Sequence, residues 1–149
     1  MNSNKNSTTA LEDVKINVKL KLSALWASVM FCYIYGDFFS LFVPGRIDSL
    51  MNGNSGIGNT TPLKLLMFAL LMTLPSIMVF LSLVLKPKIN RWANVSMGIF
   101  FTAIMVLVIA TSIGKWMIFY IFLGVIEIVI TLLIVWYAWS WPKQKDQLA

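Results

Sequence analysis

Long apolar runs separated by short polar stretches dominate the pattern of residues along this chain. Four runs are about twenty residues long, with at most one charged residue each: 22–43, 65–85, 92–113 and 116–141. A helix needs about twenty apolar residues to cross the roughly 30 Å hydrocarbon core of a bilayer. Only helices and closed barrels satisfy their own backbone hydrogen bonds there. The pattern therefore predicts an all-α integral membrane protein, a bundle of four transmembrane helices.

Polar segments flank these runs and set the predicted domain organisation. Residues 1–10 are polar and without periodicity, which predicts a disordered tail. Residues 11–142 form a single membrane domain, and residues 143–149 form a second tail. Residues 14–22 alternate between apolar and polar positions as a strand does. A lone strand entering a membrane would leave its backbone unpaired, so we interpret this stretch as a helical lead-in to the first span.

Turn signals fall between the apolar runs. Pro44 and Gly45 end the first run, and residues 47–51 are typical of a short interfacial turn. Thr61 followed by Pro62 predicts the cap and first turn of the next helix.

The charge distribution predicts an orientation. Only 12% of the residues are charged and 58% are hydrophobic. The four apolar runs take up most of the chain, which leaves no room for a separate soluble domain. The net charge of +6 does not indicate nucleic acid, because the basic residues cluster at the ends of the spans. Nine of the twelve lie on the side of the two termini, and the other three are Arg46, Lys64 and Lys115. The positive-inside rule then places both termini in the cytoplasm, with the protein in the cell (inner) membrane.

Each run carries one stripe of small and polar residues at helical spacing. Membrane helices pack through small residues and hydrogen-bond through polar ones. We therefore expect the four stripes to face inward around a common axis. They are Trp26, Met30, Tyr33, Asp37 and Ser40; Ala69, Thr73, Ser76 and Phe80; Asn94, Gly98 and Thr102; and Tyr120, Gly124, Glu127, Thr131 and Ala138.

Two carboxylates stand alone inside apolar runs. Asp37 lies about 9 Å, and Glu127 about 16 Å, from the outer ends of their spans, at 1.5 Å of rise per residue. A carboxylate at the bilayer centre costs on the order of 3 kcal/mol or more, and no lysine or arginine lies at matching depth. Burial without a counter-ion disfavours the charged form. We expect Glu127 to be largely protonated at pH 7.

Two interpretations of these acids stay open. In one, Asp37 and Glu127 form the polar end of an outward-opening pocket, with Tyr33 and Tyr120 as its walls, for a proton, a cation or a small amphipathic ligand. In the other, protonated Glu127 only holds the helices together, through a hydrogen bond to Tyr33, Asn94, Thr131 or another inward polar group. The protein would then be a non-catalytic structural or interaction protein.

The absence of histidine excludes a histidine metal site, a histidine base and a Ser-His-Asp triad. Paired carboxylates can act as acid and base, which leaves isomerase-like chemistry on a lipid-soluble substrate as a minor alternative. We predict no cofactor, no metal and no nucleic acid. The expected partners are the lipid bilayer and a proton or small molecule, and the sequence leaves open whether the chain is a monomer or a homo-oligomer.

Three stretches carry a resemblance to known proteins. The runs LEDVKINVKLKLSALWASVMFCYIYGDFFSLFVPG, LKPKINRWAN and GVIEIVITLLIVWYAWSWP resemble a family of small, uncharacterised bacterial membrane proteins with four helices, catalogued as a domain of unknown function. The resemblance covers residues 11–142 and implies the four-span architecture without an activity. A weaker similarity, of fold only, is to DoxX-like and emopamil-binding-like bundles. Small multidrug exporters also have four short spans and one membrane glutamate. Their glutamate lies in the first span, whereas Glu127 is in the last, which argues against assigning the chain to them.

Overall fold

The computed structural model describes residues 14–56 and 58–142, and the long elements there are helices. Four of them are long and apolar enough to cross a membrane, which confirms the predicted all-α bundle with four spans. The helices are α1 (Val18–Ser40), α2 (Arg46–Met51), α3 (Pro62–Val84), α4 (Pro87–Thr111) and α5 (Ile118–Trp139). The tails predicted at residues 1–10 and 143–149 lie outside the described residues.

The helix starts follow from local capping. Asn17 precedes α1, and its side-chain oxygen accepts from the backbone N–H of Lys19 at 2.9 Å. The predicted helical lead-in therefore begins only at Val18, and residues 14–17 are not helical. Thr61 caps α3 as predicted, since its hydroxyl oxygen accepts from the Lys64 N–H at 3.2 Å. The short helix α2 lies where the sequence predicted an interfacial turn.

The four long helices pack as antiparallel neighbours. α1 packs between α3 and α5, and α5 packs against α4. The Ser23 hydroxyl of α1 donates to the Val79 carbonyl of α3 at 2.8 Å. One end of the bundle holds the start of α1 and the end of α5, and we call it the termini end. The other holds α2 and the α4–α5 connection, and we call it the loop end.

Packing is uneven between these two ends. Every residue from Leu65 to Leu70 of α3, near the loop end, is exposed within the protein. Six successive helical residues cover all faces of a helix, at 3.6 residues per turn. This part of α3 therefore stands away from the other helices. The apolar core lies instead in the termini half and near the middle, and consists of Leu22, Trp26, Val29, Met78, Val95, Phe101, Ile134 and Ala138.

The predicted inward stripes are right for α4 and α5 and wrong for α3. Asn94 and Gly98 of α4 are buried, as are Glu127 and Thr131 of α5. The predicted residues of α3 are all exposed, and the helix instead buries Pro75, Met78 and Ser82. The reason is local, because the hydroxyls of Thr73 and Ser76 donate to carbonyls of their own helix, those of Ala69 and Met72. Their donors are satisfied without facing the bundle axis.

Candidate functional site

Glu127 lies on the buried face of α5 and is only 2% exposed. Gly124, one turn earlier on the same face, allows α4 to approach closely. A methyl group at Gly124 would lie 2.9 Å from Ile109 Cγ1 of α4. The close approach of α4 therefore closes the bundle on one side of the carboxyl group, while α1 packs on the other.

A small cavity lies beside the Glu127 carboxyl group. Its volume is about 10 Å³, which is close to the minimum that holds one water molecule. Residues of α1, α4 and α5 line it, so three helices meet there. They are Cys32, Tyr33, Gly36, Met105, Tyr120, Leu123 and Glu127.

Two oxygen atoms at this cavity lack hydrogen-bond partners within the described part of the chain. They are Glu127 Oε2 and Tyr33 Oη, and both atoms are buried. Buried polar atoms nearly always have a partner, either from the protein or from ordered water. Leaving one unpaired costs about 1–3 kcal/mol. The cavity therefore has the size and the polar groups to hold a water molecule between Tyr33 and Glu127.

Within the described part of the chain, the cavity beside Glu127 offers no counter-ion for a carboxylate. The described residues that line the cavity include no lysine or arginine. The sequence-based expectation that Glu127 is protonated at pH 7 stays a prediction. The structure adds its physical basis, which is burial among apolar and phenolic side chains.

Tyr33 and Tyr120 line the cavity as predicted site residues, and the remaining three, Asp37, Asn94 and Thr131, lie elsewhere. Asp37 is exposed and does not line the cavity, whereas its neighbour Gly36 does. Asp37 lies one turn beyond Tyr33, towards the loop end. Because α3 stands away from the other helices there, Asp37 is not covered and its side chain is exposed within the protein.

Asn94 belongs to a separate polar network in the termini half. Its Oδ1 accepts from Trp26 Nε1 at 2.7 Å and from the Ser82 hydroxyl at 3.2 Å. Its Nδ2 donates to Asn90 Oδ1 at 2.6 Å. Our sequence-based reasoning missed Asn90 and Ser82, although Asn90 lies four residues before Asn94 and thus on the same face of α4. The network joins α1, α3 and α4 at the termini end.

Thr131 contributes to helix packing rather than to the cavity. Its hydroxyl donates to the Glu127 backbone carbonyl at 2.9 Å. It also accepts from the Thr102 hydroxyl of α4 at 2.8 Å. The structure thus brings together Tyr33, Tyr120 and Glu127, and leaves Asp37, Asn94 and Thr131 outside the cavity.

Comparison with known proteins identifies a family. Residues 11–149 match the model of a family of unknown function (DUF6326). The chain belongs to this family. The match confirms the resemblance seen in the sequence, and it assigns no activity. No curated protein and no solved structure matches the chain, so the analogy with DoxX-like and emopamil-binding-like bundles is not confirmed.

The cavity of this DUF6326 member restricts the chemistry that the site can perform. Ca²⁺ takes six to eight oxygen ligands, and the lining residues supply one carboxyl group and two phenols. A small amphipathic ligand needs a pocket of about 300–1,000 Å³. A groove of about 420 Å³ does lie near the loop end, but its lining residues are all apolar: Phe39, Phe42, Val43, Trp116 and Phe119. The Glu127 cavity, at about 10 Å³, is too small for a ligand of this kind.

Proposed function

We propose that this multi-pass membrane protein binds a proton at Glu127, with one water molecule held between Glu127 and Tyr33. One observation carries the proposal: two buried oxygens without partners, Glu127 Oε2 and Tyr33 Oη, belong to residues that line the same cavity. A protonated carboxyl group can donate one hydrogen bond and accept others. It therefore complements a water molecule that also contacts a phenol.

The position of the site gives protonation a structural consequence. α1, α4 and α5 all contribute to the cavity lining. Ionisation of Glu127 would place a negative charge where these three helices meet, and a charge buried without a partner is costly. Proton release is therefore expected to loosen the contacts in this half of the bundle. The site can act as a proton-dependent element within the membrane.

Binding is favoured over conduction of protons through the bundle. The termini half contains the apolar core and the network of Trp26, Asn90 and Asn94. A proton path to both ends would have to cross this packed region. The loop half is more open, because α3 stands away there. We therefore place access to Glu127 at the loop end, which the charge pattern orients away from the cytoplasm.

The structural interpretation of Glu127 has less support. A carboxyl group whose only role is to hold helices together needs a hydrogen-bond partner on a neighbouring helix. Glu127 Oε2 has none within residues 14–56 and 58–142. Asn94 and Thr131, two of the partners expected from the sequence, have their side chains engaged elsewhere.

Infrared spectroscopy of the protein in liposomes tests the proposal. We expect a band from a protonated carboxyl group at pH 7 that weakens as the pH rises. Glu127→Gln should remove this band and leave the helical content unchanged, because glutamine still forms hydrogen bonds. Asp37→Asn is the matched control and should retain it. An ionised Glu127 at pH 6 would contradict the proposal.

A further inference from the structure

A cluster of one arginine and two tryptophans lies at the termini end, far from the Glu127 cavity. The Arg91 guanidinium carbon lies 5.2 Å from the centre of the Trp139 ring and 5.9 Å from that of Trp92. The two indole rings are 6.2 Å apart and nearly perpendicular. Arg91 is thus held between α4 and the end of α5 by contacts with aromatic rings.

These contacts do not satisfy the hydrogen-bond donors of Arg91. Its Nε atom is buried and has no partner among the described residues. A guanidinium group carries five N–H donors and stays charged at all physiological pH values. The described acidic residues are Asp37, Asp48 and Glu127, and the helix pairing puts them in the loop half or near the middle of α5. The described part of the termini end therefore offers Arg91 no carboxylate.

Other features of this end attract an anion. α4 begins at Pro87, which has no N–H group, so Lys88 and Ile89 carry the first-turn N–H groups that lack a partner inside the helix. The helix dipole adds positive potential there. Lys88 lies three residues before Arg91, on the same side of α4. A single anion near the start of α4 would meet the helix N-terminus, an ammonium group and the guanidinium group.

The two tryptophans indicate where in the membrane this anion would lie. Trp92 and Trp139 are 56% and 57% exposed within the protein. Tryptophan rings accumulate at the level of the lipid headgroups, with their apolar part toward the acyl chains. Basic pockets between membrane helices at this level bind phospholipid headgroups.

We propose that Arg91, together with Lys88 and the N-terminus of α4, binds the phosphate of an anionic phospholipid. The guanidinium fork matches phosphate oxygens geometrically. Trp92 and Trp139 contact the glycerol and the upper acyl chains. The headgroup's negative charge balances Arg91, for which the described residues at this end supply no carboxylate.

Native mass spectrometry of the full chain, purified in mild detergent, tests this site. The probes are phosphatidylglycerol and phosphatidylcholine, added at equal concentration. We expect preferential retention of phosphatidylglycerol by the wild type. Arg91→Gln should weaken it roughly tenfold or more, because glutamine cannot make the charged hydrogen bonds that a guanidinium donates to phosphate. Lys115→Gln is the matched control, since it removes a positive charge at the loop end, and it should retain the preference.

Further variants and a competing ligand distinguish a phospholipid site from a site for free phosphate and from pairing of Arg91 with the chain's own acidic residues. Arg91→Lys keeps the positive charge but loses the planar guanidinium group that donates two hydrogen bonds to phosphate. It should retain phosphatidylglycerol to an intermediate extent, and it tests the site even if Arg91→Gln fails to fold. Equal retention of the two lipids by the wild type would overturn the proposal. So would displacement of phosphatidylglycerol by inorganic phosphate at similar concentration, which would indicate a site for free phosphate. A gain in phosphatidylglycerol retention in the variant Glu12→Gln, Asp13→Asn, Asp146→Asn would show that the chain's own acids occupy Arg91, and would also overturn it.

Discussion

At the scale of single residues, one position along a helix decides whether a polar group reaches the cavity. Gly36 lines the cavity, whereas Asp37, the next residue, is exposed. Successive helical residues differ by about 100° in direction. The sequence identified both membrane acids as candidates. Only the packing of the helices shows that Glu127 is buried at the cavity and that Asp37 is exposed, where α3 stands away from the other helices.

Tyr33 gives a residue-scale prediction. If its hydroxyl contacts a water that also bonds to Glu127, Tyr33→Phe removes one hydrogen bond and leaves that water with fewer partners. We expect a loss of about 0.5–1.5 kcal/mol in the free energy of unfolding, measured by denaturation in detergent. The infrared band of Glu127 should also shift.

Tyr35 supplies the control for this variant. It is exposed on α1 and stacks on Phe39 through its ring, which phenylalanine preserves. Tyr35→Phe should change neither stability nor the infrared band. A Tyr33→Phe protein that is more stable than the wild type would show that the hydroxyl is simply an unsatisfied buried group, without a water.

At the scale of elements, the contact between α4 and α5 depends on glycines that permit close approach. A methyl group at Gly98 would lie 2.6 Å from Val135 Cγ2 and 3.3 Å from the Thr131 carbonyl oxygen. Small residues at helix interfaces are the usual device by which membrane helices pack closely. The stripe prediction succeeded for these two helices because their small and polar residues do face each other.

Gly98→Ala is therefore expected to be destabilising. The added methyl group must push α5 away or displace Val135, and overpacking of this kind costs about 1–3 kcal/mol. Thermal unfolding in detergent measures the change.

Gly36→Ala is the matched variant, because a methyl group there would lie at an ordinary 3.5 Å from Tyr120 Cε2. Alanine is also favoured over glycine in helices by about 1 kcal/mol, but Gly36 lines the Glu127 cavity and the methyl group takes space from the proposed water. This variant should therefore be destabilised less than Gly98→Ala. Equal effects of the two substitutions would contradict the role of Gly98 in helix contact.

The same stripe argument failed for α3, and the reason is physical. Threonine and serine in a helix can donate to the carbonyl four residues earlier, as Thr73 and Ser76 do. A hydroxyl satisfied in this way is compatible with lipid, so its position does not report the direction of the bundle axis. A stripe of serine and threonine is therefore weaker evidence for the inward-facing side of a helix than a stripe that contains asparagine or glutamate.

At the scale of the whole molecule, the two ends of the bundle differ in packing and in charge. The termini end is closely packed and rich in basic residues, and the loop end is more open. The orientation in the membrane stays a prediction from the positive-inside rule. The termini are expected in the cytoplasm, and α2 on the opposite side.

Cysteine labelling in intact bacterial cells measures this orientation. In a Cys32→Ser background, Asn52→Cys lies beside α2 and Gln147→Cys lies in the C-terminal tail. A membrane-impermeant thiol reagent should label the first variant in intact cells and the second only after permeabilisation. The reverse pattern would show that the N-terminal and C-terminal ends face outward.

The sequence by itself determined the number of spans, the all-helical class and the two membrane acids. These depend on apolar length and charge, which are local properties set by the thickness of the bilayer. The sequence also proposed Tyr33 and Tyr120 as walls of a pocket around Glu127 and Asp37. Tertiary structure decided which of the candidate polar groups line one cavity: Tyr33, Tyr120 and Glu127 do, whereas Asn94 belongs to a separate network and Asp37 is exposed. The physical reason is that such meetings depend on the rotation and separation of whole helices, and a period of 3.6 residues fixes neither.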